Sequence, residues 1–122
     1  MERLRLHHIS FKNAFAGLKW AFTTQPNFKI HFSLALLAIF AGLFLHISYI
    51  EMSILILAII FGLGVEMVNT TIEAMTDLIT KEWRQEAKIA KDVSAGMMLL
   101  AAIGTFILAL LILLPKLIER FG

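Results

Sequence analysis

Three stretches of this chain carry no charge over lengths that approach or exceed a membrane crossing: Ile30 to Ile50, Met52 to Val65 and Val93 to Pro115. A bilayer core takes about 20 predominantly apolar helical residues. The first and third runs therefore suffice on their own. The second reaches spanning length only by continuing through Glu66, Asn69 and Glu73, which puts carboxylates on the end of a membrane helix. The chain is 59% hydrophobic and 16% charged over 122 residues, outside the balance of a soluble domain and enough for one domain only. The expected fold is an all-α integral membrane protein with three transmembrane helices, over about residues 28–50, 52–80 and 92–115, preceded by an amphipathic surface helix over about 5–24.

Basic residues orient the spans. Arg3, Arg5, Lys12, Lys19 and Lys29 precede the first, and Lys81, Arg84, Lys88 and Lys91 lie between the second and third. The connection around His46 to Glu51 has no Lys or Arg, and the tail after the third span has only Lys116 and Arg120. The N-terminus and the second connection are expected on the cytoplasmic side. Basic residues in short blocks, without one broad patch, argue against nucleic acid as partner. Cysteine is absent, so thiolate metal sites, cysteine nucleophiles and disulfides are excluded. The first 24 residues hold no continuous apolar h-region and no small-residue cleavage site, so no cleavable signal peptide is expected. Phe11, Phe15, Leu18 and Phe22 recur at i, i+4, i+7 and i+11 with Lys12 and Lys19 on the flank, the pattern of a basic helix lying in the interface. Anchoring alone accounts for that pattern. Gln25-Pro26-Asn27 ends the helix, because proline disfavours helical geometry in the residue before it.

The end of the second span holds the chemistry. Glu66, Asn69, Glu73 and Asp77 are spaced i, i+3, i+7 and i+11. At 3.6 residues per turn the three carboxylates fall within an arc of about 40°, with Asn69 about 60° from Glu66, over about 16 Å of helix axis. A carboxylate at a membrane-helix centre costs about 2.5 to 3.5 kcal/mol on insertion scales, and less near the interface. Such a stripe needs a cationic partner. Two are at hand: Lys91, beside Asp92 at the start of the third span, and a divalent metal, for which a set of oxygen ligands without His or Cys suits magnesium. Magnesium shares its coordination with substrate phosphates, so the stripe points to phosphate chemistry at the membrane surface. Pairing with neighbouring lysines purely to fix packing is the plainer account of Asn69 or Asp77 taken singly. For Glu66 and Glu73 together with Lys91 and Asp92, the burial cost favours function.

Other features read as structural. No GxxxxGK[ST] loop or HExxH motif occurs, and Gly62-Leu63-Gly64 lies within an apolar helix, so close helix packing is expected of these glycines, as of Gly96 and Gly104. The charges of Lys81, Glu82, Arg84, Glu86 and Lys88 read as a solvated helix or turn. His7, His8, His31 and His46 show no ligand spacing and read as interfacial residues.

Glu66-x-x-Asn69-Thr70-x-x-Glu73-x-x-x-Asp77, followed by Ala90-Lys91-Asp92 and a span rich in small residues, resembles the prokaryotic diacylglycerol kinase family. Phe11-x-x-Ala14-x-x-Gly17-Leu18 and Asn27-Phe28-Lys29-Ile30-His31 resemble that family's surface helix and first span, and the overall likeness is to its Gram-positive branch of undecaprenol kinases. The resemblance implies a homotrimer with active sites shared between neighbouring subunits, phosphorylating a lipid alcohol from MgATP at the cytoplasmic face of the bacterial inner membrane. By the same resemblance Glu66 is the catalytic base and, with Asn69, binds the substrate. Glu73 is a metal ligand; Asn69, Asp77, Lys91 and Asp92 surround the nucleotide and phosphates, and Lys12 and Asn13 of the surface helix help hold phosphate. Where the family often has a second acidic metal ligand just before the first span, this chain has Gln25, whose amide oxygen coordinates without charge. Undecaprenol is the expected substrate and diacylglycerol the next. An oligomeric channel, transporter or assembly protein with a cation-binding stripe is the competing reading, from a different functional class.

Overall fold

The computed structural model describes the backbone of residues 2–122 and side chains from residue 10 onward. The described residues form four α-helices and no strand: α1 (Glu2–Thr24), α2 (Pro26–Phe44), α3 (Tyr49–Ile79) and α4 (Gln85–Phe121). The last three are long and apolar enough to cross a membrane. At 1.5 Å per residue α3 and α4 measure about 46 and 55 Å, well beyond a hydrocarbon core of about 30 Å. Both therefore carry helix past the apolar layer, which explains why α4 starts at Gln85, ahead of the uncharged run. α2 stops at Phe44, short of the end of its uncharged run, because the chain needs Leu45 to Ser48 to turn back.

Each junction has a local cause. Gln25 is extended (φ −102°, ψ 106°) and Pro26 takes the first turn of α2, where its missing N–H costs nothing. The ring of Phe22 then meets those of Phe28 and Phe32 edge-on, at centroid distances of 6.3 and 5.4 Å, and pins α1 against α2. Between α2 and α3 the chain reverses through His46 at φ 53°, a left-handed conformation that histidine tolerates better than most residues. A side chain at Gly42 would meet Ile47 Cδ1 at 2.8 Å and Met52 Cε at 3.0 Å, so the turn closes over a glycine. Ser48 and Glu51 then start α3 with reciprocal hydrogen bonds: Glu51 N–H donates to Ser48 Oγ (3.1 Å) and Ser48 N–H to Glu51 Oε1 (3.0 Å).

The principal interface is α3 on α4; α2 lies mainly along α3 and barely touches α4. The interior is thin. Its buried apolar side chains are Ala21, Phe28, Leu55, Val65, Ala101 and Ile112, alongside buried Glu66, Asn69, Thr76 and Ser94. Broad apolar faces stay uncovered, with Leu37, Phe40, Leu57 and Leu100 each about two-thirds exposed or more. Such faces suit lipid or neighbouring subunits. Gly64, Gly96 and Gly104 have open space where a side chain would stand, and Gly62 would make only ordinary contact with Thr105 Cγ2 at 3.7 Å. Among the glycines of the spans, the close approach within the chain falls at Gly42, and the close packing expected of the mid-span glycines is not made with their own chain.

Candidate active site

The helical period carries Glu66, Asn69, Glu73 and Asp77 along one side of α3, and burial falls steadily along it. Glu66 is 3% exposed and Asn69 8%, while Glu73 and Asp77 stand in the open. The stripe thus runs from an apolar interior to water on a single helix.

Three kinds of partner meet it. At the outer end Lys91 of α4 reaches across to Asp77, Nζ to Oδ1 at 2.6 Å, and on α4 itself Lys88 pairs with Asp92 at 2.5 Å. In the middle, the Asn69 amide nitrogen lies 3.5 Å from Glu73 Oε1 and 3.6 Å from Met98 Sδ, leaving the buried Asn69 Oδ1 without a hydrogen-bond donor among the described residues. At the deep end Glu66 Oε2 lies 2.9 Å from Nδ1 of His31 on α2, a charge contact not aligned as a full hydrogen bond. His31 is therefore not the independent interfacial residue that its isolation in the sequence implies; among the described residues its side chain is the one in ion-pair range of the Glu66 carboxylate. The signal was present, because a titratable residue inside a span needs a partner for the same reason Glu66 does. Ser94 is the second polar residue that spacing did not pick out. It is 3% exposed on α4, and its Oγ has no partner among the described residues.

His31 also lines a half-open groove of about 480 Å³ between α2, α3 and α4, whose walls are otherwise alanines, Gly62, Thr105 and larger apolar side chains. His31 thus touches both the deep carboxylate and an apolar groove, while the shallow end of the stripe meets water. Among the described residues no three His, Asp or Glu side chains converge into a metal-binding cluster. The donors that fit a metal are the exposed Glu73 carboxylate and the orphaned Asn69 Oδ1 one turn away. Hard oxygens in that number suit magnesium shared with phosphates. Gln25 instead donates to Thr24 Oγ1 (3.4 Å), and among the described residues no hydrogen bond or ion pair brings Gln25, Lys12 or Asn13 to the stripe within this chain.

Residues 12–113 match the family described as prokaryotic diacylglycerol kinase. The chain is 40% identical over 112 residues to a diacylglycerol kinase of Synechocystis, covering 91% of this chain and 64% of that relative, somewhat under two-thirds of its length. It is 38% identical over 108 residues to an undecaprenol kinase of Bacillus subtilis, covering 88% of each. A diacylglycerol kinase of Helicobacter pylori is 32% identical over 100 residues, covering 77% of this chain and 78% of its own. With a match across most of its length and the acidic stripe of α3 inside it, the chain belongs to the prokaryotic diacylglycerol kinase family.

Proposed function

We propose that the protein is a lipid kinase that transfers the γ-phosphate of ATP to a membrane lipid alcohol, undecaprenol first and diacylglycerol second. The observation that carries this reading is Glu66, a buried carboxylate between His31 of the apolar groove and a polar stripe that leads to water. A lipid held by its tail presents its hydroxyl at the depth of Glu66, while a nucleotide approaches from the end marked by Asp77 and Lys91. Undecaprenol is preferred because the B. subtilis undecaprenol kinase aligns over 88% of both chains, whereas the Synechocystis relative extends well beyond the matched region.

Each residue then has a task. Glu66 accepts the lipid hydroxyl proton as the lipid oxygen bonds to the γ-phosphorus and the bond to the β–γ bridging oxygen breaks, releasing ADP. Asp77 holds Lys91 where its ammonium offsets phosphate charge, and Asp92 lies on the same end of α4. Glu73 and Asn69 Oδ1, with Gln25, would hold Mg²⁺, which neutralises charge on the phosphates when bound. Lys12 and Asn13 of α1 supply further phosphate contacts. The family resemblance makes the working form a homotrimer with sites shared between subunits, a reading supported by the uncovered apolar helix faces and by Gln25, Lys12 and Asn13 not meeting the stripe of their own chain. Lying in the membrane surface is the role given to α1, supported by Phe11 and Phe15, each 69% exposed. The N-terminus and the site then face the cytoplasmic side of the inner membrane, a reading supported by the distribution of basic residues.

The test is phosphate transfer from radiolabelled ATP with magnesium in mixed micelles, offering undecaprenol and diacylglycerol in parallel to wild type and Glu66→Gln. Labelling by wild type, with a loss of about 100-fold or more in Glu66→Gln, supports the reading, and the preferred lipid names the substrate. A folded wild type that labels neither lipid across divalent metals returns the stripe to the cation-channel account.

A further inference from the structure

We propose that His31 is the positioning residue for Glu66, holding Oε2 through Nδ1 so that Oε1 is presented to the lipid hydroxyl. The inference rests on the lipid-kinase reading of Glu66.

The contact joins two helices, 2.9 Å from α2 to α3. The Glu66 side chain is 4% exposed, and Oε2 is fully enclosed, with no hydrogen bond from any described residue and His31 Nδ1 against it. A carboxylate buried in this way persists as an anion, and so as a proton acceptor, only where a donor or positive charge faces it. Among the described residues His31 alone supplies one. It is also, among the described residues, the only ionisable one on the groove wall, so the group steering Glu66 stands where a lipid hydroxyl would arrive. Glu66 has three rotatable bonds before its carboxylate, and nothing else directs the last of them. In proton transfer, as elsewhere, geometry comes before acidity. When the lipid oxygen bonds to the γ-phosphorus and ADP departs, the hydroxyl proton passes to Oε1, while Oε2 stays against His31 Nδ1.

The choice of nitrogen makes the idea testable. The side-chain amide nitrogen of asparagine reaches from the backbone about as far as Nδ1, so His31→Asn keeps a donor against Glu66 that His31→Leu removes while still filling the space. The full-length protein in mixed micelles is assayed with radiolabelled MgATP and its better lipid. The expected result is a kcat reduced by about 10- to 100-fold in His31→Leu, with the KM for lipid within about threefold of wild type, and recovery to within about fivefold of wild type in His31→Asn. Three results overturn the proposal while leaving the kinase reading intact: kcat within about threefold of wild type in His31→Leu, equal loss in Leu and Asn variants, or a change confined to lipid KM. A wild type inactive on both lipids removes the kinase reading and this inference with it. Should His31→Leu not fold, imidazole ¹⁵N NMR still decides. The Nδ1 resonance of His31 must move between wild type and Glu66→Gln, and an unmoved resonance refutes the contact.

Discussion

Replacing either member of the His31–Glu66 pair should have very unequal effects on stability. Removing His31 as His31→Leu strands a carboxylate that is 4% exposed. Breaking a buried pair from one side costs about 3–5 kcal/mol when the remaining charge is fully enclosed, and a lost hydrogen bond to an uncharged buried group about 1–3. Because the His31 side chain is 31% exposed, water has a route to the site, and the expectation lies between these ranges at about 2–4 kcal/mol. Glu66→Leu leaves only the imidazole, which can turn toward the interface, and should change stability by no more than about 1 kcal/mol. The double replacement should lie near wild type, since apolar residues of similar size often substitute for a buried pair without loss. The coupling read from the cycle is thus at least about 1 kcal/mol. Reversible denaturation in mixed micelles, followed by the fluorescence of Trp20 and Trp83, gives the four stabilities from midpoints at a common slope. If His31→Leu costs under about 1 kcal/mol, or costs as much in the Glu66→Leu background as in wild type, the pair is not a buried charge contact and the reasoning fails.

Other outcomes follow from exposure. Asp77→Ala and Lys91→Ala should each change stability by less than about 1 kcal/mol, because their side chains are 56% and 42% exposed. Either should nonetheless raise the KM for ATP, so a KM left at its wild-type value would remove the pair from the nucleotide site. Glu73→Gln should raise the magnesium concentration for half-maximal activity by about tenfold or more, and a magnesium titration coinciding with wild type would show that Glu73 holds no metal. Ser48→Ala, at the far end of α3, should cost about 0.5–2 kcal/mol of stability with kcat unchanged; a matching drop in activity would tie the turn to the site.

The span pattern and the stripe were legible because each lives on one helix, where sequence spacing and spatial arrangement are the same thing. Glu66, Asn69, Glu73 and Asp77 fall along one side of α3 from the period alone, and the need for a cation near Asp77 led to Lys91. What lies across helices was less legible. His31 is separated from Glu66 by the whole α2–α3 reversal, and spacing gives no hint of the rotation that turns it toward α3. Ser94 has the character of any small residue in a membrane helix, and only packing shows that it is buried without a partner among the described residues. The glycines depend on packing in the same way: Gly96 and Gly104 meet nothing of their own chain, and among the glycines of the spans the crowded one is Gly42, where Ile47 and Met52 fold back from the turn.

Carrying these groups on the uninterrupted rod of α3 fixes their spacing as firmly as marks on a ruler. A soluble enzyme can lengthen a loop and leave its other groups in place. Here one residue inserted between Glu66 and Glu73 would swing everything on one side of it by about 100° and shift it by about 1.5 Å, turning Glu73 and Asp77 from α4 toward lipid. Tolerated insertions should come close to whole turns or fall outside the interval altogether. Adaptation to a longer or shorter lipid alcohol is thereby left to side-chain exchanges on the walls of α2 and α4.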